Sequence, residues 1–150
     1  MTRTKEFFDR PPHRVERTDV RVMERSTVDD LDHIQQIWPA FERLVGVRGR
    51  KMYAYVEVER GTYTVCTPVL ERDDPDNFGL TVGTLRGGWY LRGRMTGEPS
   101  DIYAVIGDAM SDLRARADGD PTRPLVEYYR RHNQVELWVP VADASDGGRP

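Results

Sequence analysis

The sequence predicts an α+β domain: two β-α-β-β units sharing one antiparallel sheet, with both helices on one face. Three observations carry this. Runs with strand-like alternation of side-chain character recur along the chain. Two other segments place apolar residues at spacings of three and four, the period of a helix with one buried stripe. The order strand, helix, strand, strand then occurs twice, the second copy starting roughly half a chain after the first.

The elements follow in order. Residues 1–17 are charged and broken by Pro11-Pro12, and read as a loose arm. Val20 to Val28 alternates as a strand. Asp29, Asp30 and Asp32 suit the positive end of a helix dipole, and Leu31, Ile34, Trp38, Phe41 and Val45 form the stripe that follows. Pro39 inside it removes a backbone donor and predicts a kink, and Gly46 is a natural stop. Lys51 to Glu59 and Thr62 to Glu71 read as strands joined at Arg60-Gly61, with "RDDPDN" after them as a polar loop. Leu80 to Met95 is strand-like, interrupted by Gly87-Gly88, which predicts a bulge or a turn between two short strands. Ser100, after Pro99, is expected to cap a second helix with the stripe Ile102, Ile106, Met110, Leu113 and Ala117, stopped near Gly119. Strands near 124–131 and 134–141 close the domain around a His132-Asn133 turn. The domain thus spans 18–141, and 142–150 reads as a disordered tail.

Composition excludes several classes. A chain of 150 residues is one domain, able to bury about two-thirds of its unfolded surface. A net charge of -3 gives no basic field to recruit nucleic acid or an anionic membrane. No segment is left over for a helix-turn-helix, so direct DNA binding is not expected. Cys66 is the lone cysteine, which rules out an internal disulfide and a cysteine-based metal site. His13, His33 and His132 lack metal-ligand spacing, so neither metal nor cofactor is expected. No serine sits in a nucleophile elbow, and no Lys-Ser/Thr follows Gly87-Gly88 as a phosphate loop requires. Without a signal-like segment or a membrane-length apolar run, a cytoplasmic location is expected.

One residue breaks its local pattern. Glu127 stands between Val126 and Tyr128, where a buried strand would carry another apolar side chain. Alternation puts Leu125, Glu127 and Tyr129 on one face. Matching the two halves puts Tyr53 and Tyr55 in the places of Glu127 and Tyr129, so a carboxylate and several rings are expected in one groove. Aromatic faces attract flat rings and cations, and a partly desolvated carboxylate gains most when a cation arrives. The pattern also fits an exposed Glu127, or one paired with Arg92 or Arg130. Trp38 divides between core and cleft, and Trp138 between core and cleft rim. Trp89 and Tyr90 point to opposite faces, so only one of them can face the cleft.

The stretch "LRGGWYLRGRMTG" before the second helix, with "RPLVEYYRRHNQVELWVPV" after it, resembles the GyrI-like small-molecule-binding family. This family includes effector-binding domains of multidrug-responsive regulators. The resemblance rests on the Gly-rich strand, the central Glu127 and the closing Val139-Pro140-Val141, and covers about residues 19–141. It implies the duplicated, SHS2-like fold and a ligand cleft between the halves for bulky aromatic molecules, lipophilic cations among them. The implied ligand-binding set is Glu127, Tyr53, Tyr55, Tyr90, Tyr129 and Trp38. The family implies three activities: a stand-alone binder, a hydrolase of cyclopropane-bearing xenobiotics, and a module that grips a protein partner. In the hydrolase Glu127 would act as general base and a tyrosine hydroxyl would steady the oxyanion.

Overall fold

The computed structural model describes residues 6–142. Eight strands form one antiparallel sheet: β1 (His13–Arg17), β2 (Val20–Val28), β3 (Met52–Glu57), β4 (Thr62–Pro68), β5 (Thr81–Leu85), β6 (Gly88–Thr96), β7 (Leu125–Arg131) and β8 (Gln134–Pro140). Three helices accompany them: α1 (Leu31–Val45), α2 (Pro75–Phe78) and α3 (Pro99–Ala115). Sheet order is β1-β6-β8-β7-β3-β4-β2-β5. The units β2-α1-β3-β4 and β6-α3-β7-β8 are the expected duplication, joined in mid-sheet where β3 pairs with β7.

Each long helix covers its own core. Under α1, Ile37, Phe41 and Val45 pack on Met52, Ala54, Val56, Tyr63 and Val65. Under α3, Ile102, Ala109, Met110 and Leu113 pack on Leu91, Met95, Val135, Leu137 and Val139. Leu125 and Tyr129 touch both clusters and mark the seam between the halves. The other sheet face has a core of its own: Val22, Tyr53, Cys66, Leu85, Tyr90, Val126 and Trp138. Val15 of β1 also packs there, beside Leu85 of β5, although these strands lie at opposite ends of the sheet order. The sheet must therefore curl until its edges meet. Gly87 lets the turn into β6 lie close to the end of its neighbour β1, since a Cβ there would sit 2.5 Å from the Arg17 carbonyl oxygen.

Several expectations change. Residues 6–17 are not a loose arm. β1 pairs along β6, and Phe8 is buried against Gly93, where a Cβ would collide with its ring. The two phenylalanines supply the apolar area, and the open edge of β6 supplies the backbone partners. Residues 1–5 and the tail from 143 lie outside the described residues. The "RDDPDN" stretch contains α2. Ser100 is not a cap: Pro99 occupies the first turn, Glu98 is the N-cap, and the helix ends at Ala115, before Gly119. The core face of α1 is also rotated from the expected stripe. It buries Ile37 with Phe41 and Val45, keeps Ile34 and Trp38 half-buried at the edge of the core where they also line the cleft, and leaves Leu31 exposed.

Arg50 and Asp73 form a buried bidentate pair at 2.6 and 2.8 Å, which ties the segment after α1 to the loop before α2. Hydrogen bonds from Arg50, and one from the Leu70 backbone, hold the Asp73 carboxyl down at about 2. A depressed folded-state pKa adds stability above the unfolded value of about 3.9. That increment should fade as pH falls towards about 2. Asp73→Asn should cost about 3–5 kcal/mol at pH 7, because it strands a buried guanidinium. Its deficit should shrink below pH ~4 in chemical denaturation. A deficit that stays constant down to pH ~2 would contradict this reading.

Candidate functional site

The helices leave a cleft of about 790 Å³ between them, with the sheet as its floor. Leu31, Ile34, Trp38 and Glu42 of α1 form one wall, and Tyr103, Ile106 and Gly107 of α3 form the other. The floor carries Met52, Tyr63, Glu127 and Tyr129. The rim is mixed: the exposed apolar residues Leu31, Val47 and Tyr103 share it with Asp29, Gln35, Arg131 and His132. The apolar side of α1 thus extends past its core onto the cavity wall, which suits an apolar occupant.

Glu127 lies at the base, 7% exposed. Its Oε1 accepts hydrogen bonds from the Tyr63 hydroxyl at 2.8 Å and the Tyr129 hydroxyl at 2.6 Å. Trp38 Nε1 donates in turn to the Tyr63 oxygen at 3.0 Å. The Trp38 and Tyr103 rings meet the Tyr129 ring edge-on, with centroids 4.9 and 6.2 Å away. Oε2 takes no hydrogen bond from the described residues, yet it is not among their fully enclosed unsatisfied atoms, so it opens onto the cleft. No arginine, lysine or histidine among the described residues pairs with Glu127. Of the basic residues that line the cleft, Arg50 is committed to Asp73, and Arg131 and His132 are exposed and make no ion pair with Glu127.

The electrostatics follow from burial. Desolvation pushes the Glu127 carboxyl up. The two tyrosine hydroxyls offset part of the rise, and the Asp29 charge adds to it. Burial beside this carboxylate pushes Tyr63 and Tyr129 well above the ordinary phenol range, so both stay protonated donors. The cleft therefore holds a carboxylate without a counter-ion, ringed by aromatic faces.

The expected residues divide. Glu127, Tyr129 and Trp38 meet in the cleft as expected. Tyr53, Tyr55 and Tyr90 do not: all three lie on the opposite sheet face. β3 pairs with β7 so that Ala54, not a tyrosine, stands across from Glu127, and this one-residue offset turns both β3 tyrosines away. Tyr53 stacks on Tyr128 at 4.5 Å, Tyr55 donates to Glu24, and Tyr90 is enclosed under the Arg123 guanidinium. Trp89 packs against the α3 core, so neither it nor Tyr90 lines the cleft. Trp138 is core. Arg92 and Arg130 lie near Glu136, not Glu127. Tyr63 and Tyr103 belong to the cleft without having been singled out. Alternation along "TYTVCTP" groups Tyr63 with Val65 and Thr67, but only the hairpin register shows which face that is.

No protein-family model matches the chain, and no curated protein shows significant similarity to it. Solved structures share its fold. An integron cassette protein from the mobile metagenome of Vibrio cholerae is 19% identical, with a TM-score of 0.69 over 90% of this chain and 97% of that one. The protein SAV2435, solved bound to tetraphenylphosphonium, is 13% identical, with a TM-score of 0.63 over 93% and 98%. A hydrolase from Listeria innocua is 10% identical, with a TM-score of 0.55 over 89% and 92%. At such identities the likeness is one of fold.

Because its carboxyl pKa is raised in the folded state, Glu127 costs stability as pH rises through the unfolded value of about 4.3, and the cost levels off above the folded pKa. Glu127→Gln should be at least as stable as wild type at pH 7, with the gap closing towards pH ~4. Urea denaturation across that range checks this; a variant clearly weaker at pH 7 would make the carboxylate a structural partner instead.

Proposed function

We propose that this chain is a GyrI-like small-molecule-binding domain. Its ligands are bulky, lipophilic aromatic cations held between α1 and α3, with Glu127 as their counter-charge. The observation that carries this is the carboxylate without an ion-pair partner at the base of an aromatic cleft. Such a carboxylate is poorly solvated when the cleft is empty and gains a partner when a cation enters. The rings add cation–π attraction, strongest where water is excluded. A fold shared with a protein solved bound to tetraphenylphosphonium supports the same reading. No helix among the described residues is long and apolar enough to cross a membrane.

The hydrolase reading has less support. A hydrolase needs a donor for the developing oxyanion besides the base. The hydroxyls nearest Glu127, those of Tyr63 and Tyr129, both donate to Glu127 itself.

Tetraphenylphosphonium should bind at about micromolar affinity, near −8 kcal/mol. Glu127→Gln should lose about 1–3 kcal/mol of this, as expected for a charge-assisted contact. Tyr55→Phe, on the far sheet face, should leave affinity unchanged. Wild-type affinity should rise with pH as Glu127 deprotonates. Calorimetric titration checks all four, and equal affinities for wild type and Glu127→Gln would overturn the proposal.

A further inference from the structure

On the sheet face opposite the cleft, three arginines gather around one carboxylate. Arg92 and Arg94 come from β6, Arg130 comes from β7, and Glu136 lies between them on β8. Glu136 is buried and fully engaged. Trp138 Nε1 donates to its Oε1 at 3.1 Å, and Arg94 Nη2 donates to its Oε2 at 3.0 Å. Arg92 and Arg130 stay at 4.0 and 3.8 Å, close enough to pair electrostatically but too far to hydrogen-bond. Three guanidiniums against one carboxylate leave a local excess of two positive charges. His13 adds no anion, since it meets Arg92 Nη2 through a ring nitrogen.

The donors are also underused. Each guanidinium carries five N–H groups. The described residues give this trio one carboxylate hydrogen bond and one contact to a histidine ring. Arg94 Nε is buried with no acceptor at all. The arginine side chains nonetheless reach solvent, at 23, 36 and 38% exposure for Arg92, Arg94 and Arg130. A network built only for stability would balance its charge. This one leaves fork-shaped donors facing outward on a chain whose net charge is -3.

We propose that this face is a second binding site, for a multiply charged oxyanion group: the phosphate of a small molecule or the carboxylates of a polypeptide. Glu136 forms its floor. It holds the guanidiniums in place from beneath, while their outer edges take the ligand's oxygens.

The test titrates wild type with inorganic phosphate, and separately with hexaglutamate peptide, at matched ionic strength by calorimetry. Saturable binding of either ligand is expected. Arg92→Gln and Arg130→Gln should each weaken it by about tenfold or more, the loss of a charge-assisted contact. Glu136→Gln keeps the floor's shape and its acceptor for Trp138, and removes the central negative charge. It should tighten binding by about tenfold, the reverse of its effect on a purely structural ion network. Phosphate binding without peptide binding would identify a small-molecule site, and the opposite result a polypeptide site. If neither ligand binds wild type or Glu136→Gln, the proposal fails. It also fails if binding survives both arginine substitutions in variants whose circular dichroism is native.

Discussion

Strands β3 and β7 meet with Ala54 across from Glu127, and this antiparallel register joins the two halves of the molecule. Much else depends on it. Ala54 packs into the α1 core on the helix side, on the same face as Glu127. The larger Tyr53 and Tyr55 go to the other face, where they build the second core with Tyr90, Val126 and Trp138. A slip of one residue would put a tyrosine and Glu127 on one face, either bringing Tyr53 or Tyr55 under the helices or driving Glu127 into the enclosed aromatic core. Apolar side chains on both faces of β3 make such a slip costly, so the cleft is held by the same packing that stabilises the sheet.

Within that frame the cleft is a compromise between burial and charge. A carboxylate taken out of water without a counter-ion costs free energy, and the protein offsets part of it with two tyrosine hydroxyls on a single oxygen. The second oxygen is left to the cleft. The Trp38–Tyr63–Glu127–Tyr129 chain of hydrogen bonds also fixes the rings, so that their faces and edges are set before a ligand arrives. Preorganisation of this kind reduces the ordering cost of binding. The opposite sheet face carries the reverse imbalance, an excess of guanidinium over carboxylate around Glu136. β7 contributes to both, with Glu127 on one face and Arg130 on the other.

Amphipathic periodicity and turn residues are enough to read the order of elements, the duplication and the hairpin at His132-Asn133. Glu127 is legible because a carboxylate interrupts an apolar strand, and Trp38 and Tyr129 follow from helix and strand spacing. The fate of Tyr53, Tyr55 and Tyr90 is not legible. In a curled sheet buried on both faces, "MYAYVE" has no polar face to show which side meets the helices. Alternation shows that Tyr53 and Tyr55 share a face; only pairing with β7 shows which one. The docking of residues 6–17 is hidden for a related reason. Phe7-Phe8 is too short a run to signal burial, and its place depends on the free edge of β6 and on Gly93 beneath the ring.

The central claim is that Glu127 is a buried carboxylate waiting for a cation. The most direct test is an NMR titration of its side-chain carboxyl carbon in 13C-glutamate-labelled protein, with and without tetraphenylphosphonium. In the free protein the glutamate signal assigned through Glu127→Gln should titrate above the ordinary value of about 4.3, and the bound cation should pull that pKa down. An ordinary pKa that does not move when the cation is added would contradict the account.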